Sequence, residues 1–240
     1  MSSPHFFWIA ANRYGAQLPP VDLALDEPNG LLAAHGDLAP ATLLAAYRAG
    51  VFPWYSAGQP ILWWSPDPRE VLVPAAFHVS RSLARTLRRG HFQVTADRDF
   101  DAVMRACATP RHADDGTWIT AEMIDAYGAL HRLGHAHSFE CWQDGRLVGG
   151  MYGVAIGRVF YGESMFSRVT DASKVALATA CRWLAGWGYE LFDCQVESEH
   201  LASLGARTMP RAEFVVALST LCGQEPAESA WREYEEPAAT

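Results

Sequence analysis

The order of hydrophobic patterns predicts an α+β protein with a mixed sheet flanked by helices. Three observations carry this. Period-two alternation dominates Ser138–Gln143 and Arg146–Ile156, and Asp144-Gly145 between them signals a tight turn joining antiparallel strands. A helical pattern follows at residues 171–186. A short apolar run, Glu190–Val196, comes after that helix, so helix and strands belong to one layered unit.

In chain order, residues 1–62 read as irregular and rich in Pro and Gly, with a short helix at Pro40–Ala49 that Asp37 or its neighbours can cap. Gly50–Arg69 combines prolines with Trp and Tyr, which predicts an ordered loop holding a short strand at Pro60–Trp64. His78–Arg89 is a helix with Ser80 as N-cap and Leu83 and Leu87 on one face. Residues 91–96 read as a strand, and Phe100–Ala108 and Thr120–Leu133 as helices. Arg158–Tyr161 is a further short strand, after which Glu163 falls where strand gives way to loop. Asp171 and Ser173 most simply cap the helix that ends near Gly186, and Pro210–Leu221 closes the domain with a helix before a loose Glu/Pro/Ala tail. This order is compatible with an acetyltransferase-type sheet and with other α+β arrangements.

The composition narrows the function. The formal net charge is −8, so polyanion binding needs a local basic patch. Arg81, Arg85, Arg88 and Arg89 provide one, with no acidic residue interleaved between His78 and Arg89. Five cysteines, an odd number without CxxC spacing, argue against a disulfide framework and a four-cysteine zinc site, which suits a reducing cytoplasm. No stretch approaches the ~20 apolar residues of a membrane span, and no export signal is read at the N-terminus. His131, His135 and His137 straddle the helix end at Gly134 and are not expected to converge on a metal. Cys194 lacks a neighbouring cation to activate it, and no G-x-S-x-G elbow, P-loop or dinucleotide fingerprint occurs.

The polar residues that invite chemistry lie in Tyr161–Lys174 and Asp193–Gly205. Asp193 and Gln195 are two apart in an apolar strand, so their side chains are expected on one face. They read either as a polarised relay, with Asp193 orienting Gln195, or as a buried network that fixes the sheet. Glu163 reads either as a receptor for a cationic group or as an exposed strand-end carboxylate.

Four blocks together resemble one family, the leucyl/phenylalanyl-tRNA–protein transferases: EPNGLLA with HGDL (Glu27–Leu38), GVFPWYSAGQPILWWSPDPR (Gly50–Arg69), GTWIT (Gly116–Thr120), and the run from Gly134 to Ala206 with GESMFSR and DCQV. The resemblance implies a small N-terminal domain, residues 1–62, followed by an acetyltransferase-like catalytic domain, residues 63–240. It implies Leu-, Phe- or Met-tRNA as donor, proteins with N-terminal Arg or Lys as acceptor, and a product marked for degradation under the N-end rule. No metal and no soluble cofactor are implied. It places Asp193 and Gln195 at the reaction centre and Glu163 where the acceptor's cationic side chain binds. Trp54, Trp118 and Tyr127 match aromatic positions around the tRNA's terminal adenosine. Met151, Met165, Leu177 and Phe192 match, or lie beside, an apolar pocket for the donor side chain. Ala180 departs from an aromatic carried there in one branch of the family, which bears on adenosine stacking or pocket size.

Two other readings remain open at this point. One is an acyl-coenzyme A N-acyltransferase, against which the missing [RQ]-x-x-G-x-[GA] pyrophosphate loop counts. The other is a non-catalytic tRNA-binding adaptor, against which the Asp193, Gln195 and Glu163 set counts. No unexplained amphipathic helix remains, so a cytoplasmic monomer is expected.

Overall fold

The computed structural model describes residues 7–10, 17–109, 117–232 and 234–235. Gly116 of the GTWIT block and the last five residues of the tail lie outside them.

The N-terminal region is less irregular than expected. It forms a four-stranded sheet from β1 (Phe7–Ile9), β2 (Leu31–His35), β3 (Phe52–Pro53) and β4 (Leu62–Trp64), in the order β1-β2-β4-β3, with helix α1 (Pro40–Arg48) between β2 and β3. Leu32, Ala33 and Ala34 of β2 are all buried, so this strand shows none of the alternation by which a half-buried strand is read. The last strand of the small sheet, β4, runs to Trp64. Asp37 does serve α1: its carboxylate accepts from Ala39 N at 3.0 Å and from the Thr42 hydroxyl at 2.7 Å.

The main sheet has eight strands: β5 (Arg69–Leu72), β6 (Gln93–Ala96), β7 (Ala136–Gln143), β8 (Arg146–Ile156), β9 (Val159–Ser167), β10 (Leu191–Gln195), β11 (Arg207–Met209) and β12 (Tyr234–Glu235). Their order is β11-β5-β10-β9-β8-β7-β6-β12. Every neighbouring pair is antiparallel except β9 and β10, which run parallel over Leu191↔Val159 to Asp193↔Tyr161. Helix α5 (Ala172–Gly186) makes the crossover between them, as a parallel pair requires. The sequence pattern does not show β5, β11 or β12, the last of which lies in the tail expected to be loose, and it ends β9 at Tyr161.

Two apolar cores flank this sheet. One packs α2 (Arg81–Arg88) and α5 on one face, through Leu83, Val175, Leu177 and Leu184. The other packs α1, α3 (Phe100–Ala108), α4 (Ala121–Arg132) and α7 (Arg211–Leu221) on the opposite face, and it also receives Leu32, Tyr47, Phe52 and Trp63 of the N-terminal region. The Ser80 cap of α2 is as the sequence predicts, accepting from Leu83 N, and in α4 Thr120 is the N-cap, outside the helix it was expected to begin, and accepts from Met123 N. Asp171 is a correction. It sits before α5 at φ 70° without capping it, and its carboxylate instead takes the Thr86 hydroxyl of α2 at 3.1 Å.

Strands β9 and β10 are both irregular where they end their shared ladder. In β9, Tyr152 pairs with Ser164 but Gly153 pairs with Gly162, so Glu163 is the extra residue of a bulge. A bulge flips every later side chain to the other face, which is why Met165 packs with the α5 core and Phe166 with the opposite one. In β10 the register shifts between Asp193 and Gln195, and Gln195 adopts φ 68°.

Candidate active site

The two bulges open a gap at the C-terminal ends of β9 and β10, the one parallel pair of the main sheet among the described residues, the position where strands diverge and ligands enter open sheets. A cavity of about 480 Å³ occupies it. Its apolar wall is Met151, Met165 and Phe192; Trp54 and Trp118 stand on its N-terminal side; Glu163 and Gln195 face it; and the Val196–Leu201 segment, including α6 (Glu199–Ala202), forms the far rim. Gly162 makes room for the floor, since a Cβ there would fall 2.6 Å from the Phe192 ring.

Glu163 is no exposed strand-end carboxylate. It is buried, and both its oxygens are engaged: Oε1 accepts the Gln195 side-chain amide at 2.8 Å and Oε2 accepts the Tyr127 hydroxyl at 3.0 Å. Tyr127 in turn is hydrogen-bonded to the hydroxyl of Tyr47. Burial pushes the Glu163 carboxyl up to about 7 from an ordinary 4.5; the hydroxyls of Tyr47 and Tyr127 oppose the rise, the Asp193 charge adds to it, and the Gln195 amide opposes it. The same burial, with the Glu163 charge next, raises both tyrosines well above their ordinary value, so they act as donors and not as phenolates.

Asp193 and Gln195 do not form the relay the strand pattern suggested. Asp193 is fully buried and does not line the cavity. Its carboxylate binds the Arg69 guanidinium in two-pronged fashion, at 2.8 and 2.7 Å, and accepts the backbone N–H of Gln195 at 2.9 Å. The side-chain amide of Gln195 belongs to Glu163. The bulge is the physical reason, because it turns Gln195 away from the face that Asp193 occupies.

Arg69 is the residue that the sequence reading passed over. It is 1% exposed, lies between the Phe52 and Phe214 rings at 4.8 and 4.7 Å, and donates to the Gly50 carbonyl at 3.1 Å. It thus ties the N-terminal region, β5, β10 and α7 together beneath the site. Nothing in a linear pattern marks an arginine as buried. Its place at the end of the quoted WWSPDPR block was the available signal.

The other expected residues divide. Trp54 is 44% exposed and Trp118 half-buried, and both line the cavity. Tyr127 is fully buried, so in this structure it is a ligand of Glu163 and offers no ring face to an adenosine. Met151, Met165 and Phe192 line the recess, whereas Leu177 is fully buried in the α5 core behind it. Arg81, Arg85 and Arg88 of α2 and Arg89 at its C-cap are all exposed, around a single buried Leu83. Ala180, the departure from the family pattern, is buried in the same core as Leu177. Cys194 lines the cavity, but burial and then the Asp193 charge raise its thiol well above the ordinary range, which leaves it protonated and inert. His131 bonds the Ala136 carbonyl at 2.8 Å and His137 the Asp97 carboxylate at 2.6 Å, and His131 Nδ1 also lies 3.9 Å from that carboxylate. Among the described residues no helix is long and apolar enough to cross a membrane.

Residues 71–219 match the family model described as leucyl/phenylalanyl-tRNA protein transferase, and residues 36–67 match its N-terminal domain. The proteins named leucyl/phenylalanyl-tRNA–protein transferase from Methylococcus capsulatus and Saccharophagus degradans are 59% and 53% identical, over 89% and 93% of this chain and 91% of each relative. That from Pseudomonas paraeruginosa is 57% identical over 92% of this chain and 96% of its own. Among solved structures, L-PGS from Bacillus licheniformis (12% identity, TM-score 0.39, 71% of this chain and 57% of that one) and a GCN5-related N-acetyltransferase from Kribbella flavida (14%, 0.39, 72% and 61%) share a general backbone course. Likeness at that level carries no argument. The class defined by the family models and these relatives is that of the aminoacyltransferases. Within it, the chain belongs to the leucyl/phenylalanyl-tRNA–protein transferase family.

Proposed function

We propose that this enzyme moves Leu, Phe or Met from aminoacyl-tRNA to the N-terminal Arg or Lys of an acceptor protein, which marks the product for degradation under the N-end rule. The observation that supports this most is a single cavity in which an apolar wall meets a buried carboxylate–amide pair. The donor side chain lies against Met151, Met165 and Phe192, with Leu177 backing the wall. Flexible methionines suit a recess that takes several unbranched or γ-branched chains. The terminal adenosine stacks on Trp54 and Trp118, where a stacked base is worth roughly 1–3 kcal/mol. The arginines of α2, Arg81, Arg85, Arg88 and Arg89, contact phosphates without reading sequence.

Glu163 receives the acceptor's cation. Each of its oxygens keeps a second lone pair beside the bonds from Gln195 and Tyr127. A guanidinium or ammonium there offsets what burial costs the charged carboxylate. The amide of Gln195 is oriented by the same contact. An ionised carboxylate only accepts, so Nε2 faces Glu163 and Oε1 is left for the amine. Gln195 Oε1 thus accepts an N–H of the attacking α-amine, and Asp193 acts as a positioning residue through the Gln195 backbone. The amine nitrogen bonds to the ester carbonyl carbon, the ester C–O bond breaks, and the ribose oxygen leaves with the proton the amine loses. Holding the partners in place is worth roughly 7–11 kcal/mol of barrier, which lessens the need for a strong base.

The test is transfer of labelled Leu from Leu-tRNA to an Arg-initiated peptide, with acyl-coenzyme A donors in parallel. Transfer from tRNA alone, lowered at least tenfold by Gln195→Ala in single turnover, is the expected result. Wild-type rates in Gln195→Ala, or transfer from coenzyme A, overturn the reading.

A further inference from the structure

We propose that Tyr47 is a positioning residue for transfer: through Tyr127 it anchors the Glu163 carboxylate that holds the amide of Gln195. The inference rests on the reading of Glu163 as the working carboxylate and extends it to a residue of the N-terminal region.

Tyr47 of α1 and Tyr127 of α4 are both fully buried, so their hydroxyls have only protein partners. The ionised carboxylate dictates the direction of the chain. Glu163 only accepts, so Tyr127 donates to it at 3.0 Å. The Tyr127 oxygen is then left to accept from Tyr47. Each hydroxyl has one proton, and both protons point toward Glu163. Donors in series polarise one another and strengthen the last bond. Tyr47 is itself held against the Tyr161 ring at 5.0 Å, on the strand that carries Glu163. Removing its hydroxyl frees Tyr127 to rotate, and removing that of Tyr127 strips the carboxylate of its partner on Oε2.

The chain bears on charge as well as on aim. Burial has brought Glu163 to where it is only partly ionised near neutral pH, and the two hydroxyls pull it back toward the charged form. The other titratable groups around it are Tyr152 of β8, Tyr161 of β9, Asp193 and Cys194 of β10, and His200 across the cavity, with Arg69 of β5 neutralising Asp193. Among these only Tyr47 and Tyr127 present a donor chain to its second oxygen.

The experiment is the pH dependence of kcat/KM for the Arg-initiated peptide at saturating Leu-tRNA, for wild type, Tyr47→Phe, Tyr127→Phe, Tyr152→Phe and Glu163→Gln, with unfolding followed alongside. The acceptor amine titrates identically throughout, so differences between variants isolate the carboxylate. Losing a hydrogen bond that favours the charged carboxylate should raise the midpoint of the acidic limb by about one pH unit in both Tyr127→Phe and Tyr47→Phe. Both should recover to within about threefold of wild type once Glu163 is fully ionised. Tyr152→Phe, whose hydroxyl makes no hydrogen bond, should leave the limb in place. The same shift in a His200→Asn background assigns it to Glu163. If Tyr47→Phe does not fold, 3-fluorotyrosine at position 47, a near-isosteric and stronger donor, should move the midpoint down. Unmoved midpoints with an inactive Glu163→Gln overturn the role of Tyr47 and leave the reading of Glu163 standing. Wild-type transfer by Glu163→Gln overturns the reading itself.

Discussion

Replacing Glu163 by Gln should make this protein more stable while it impairs transfer, and the gain should depend on pH. An ordinary glutamate loses its proton near 4.5, whereas Glu163 in the folded chain does so at about 7, mainly because it is buried. Between those values the folded state binds more protons than the unfolded one. Wild-type stability therefore falls as pH rises through this window and levels off above it. At about 1.36 kcal/mol per unit, the charged carboxylate costs on the order of 3 kcal/mol above the folded value. Gln at this position carries no such cost, and its carbonyl still takes the Tyr127 hydroxyl once the Gln195 amide flips to present Oε1 to the new side chain. For a chain of this size each kcal/mol moves Tm by about 2–4 °C, so the variant should melt about 6–12 °C above wild type near pH 8. The difference should close toward pH 4.5. Scanning calorimetry in steps across that range reads both numbers. A gap that ignores pH, or a variant less stable than wild type at pH 8, refutes the claim that burial strains this carboxylate.

Three further outcomes follow from other parts of the structure. Arg69→Met leaves Asp193 buried and unpaired, so it should cost about 3–5 kcal/mol in denaturant unfolding, and Arg69→Met with Asp193→Leu should regain most of it. A double variant no more stable than the single one argues against the pair. Gly162→Ala pushes the Phe192 ring into the recess, so the ratio of Phe to Leu transfer should fall, by roughly the 10-fold or more that one methylene-sized change is worth. An unchanged ratio in competition assays removes Phe192 from the pocket floor. Arg81→Gln with Arg85→Gln should lower the slope of log binding constant against log salt for tRNA by about two, one per phosphate contact, at equal cost for all tRNA sequences. An unaltered slope makes the patch ordinary surface.

How much was legible beforehand depended on where each signal was stored. Arg146–Ile156 and Phe100–Ala108 appeared with the bounds the pattern assigned, because alternation and helical spacing are local. The strands β1, β2, β3, β5, β11 and β12 were missed because they are short, and β2 is buried across its middle, so no alternation survives. β9 was cut short at Tyr161 because its bulge breaks the alternation at Glu163, the residue on which the site turns. Met151, Met165, Phe192, Trp54 and Trp118 line one cavity, while Tyr127 and Leu177 are part of the packing behind it.

Residue types, their periodicity and the motif blocks were enough to place the chain in its family and its strands in a mixed sheet, since each is a property of neighbours along the chain. Which amide meets which carboxylate was decided only in three dimensions. Asp193 and Gln195 stand two apart, yet a one-residue bulge sends the first to Arg69, 124 positions away, and the second to Glu163. Tyr47 reaches Tyr127 across 80 positions. A buried charge takes whatever partner the packing delivers, and separation along the chain carries no information about that choice.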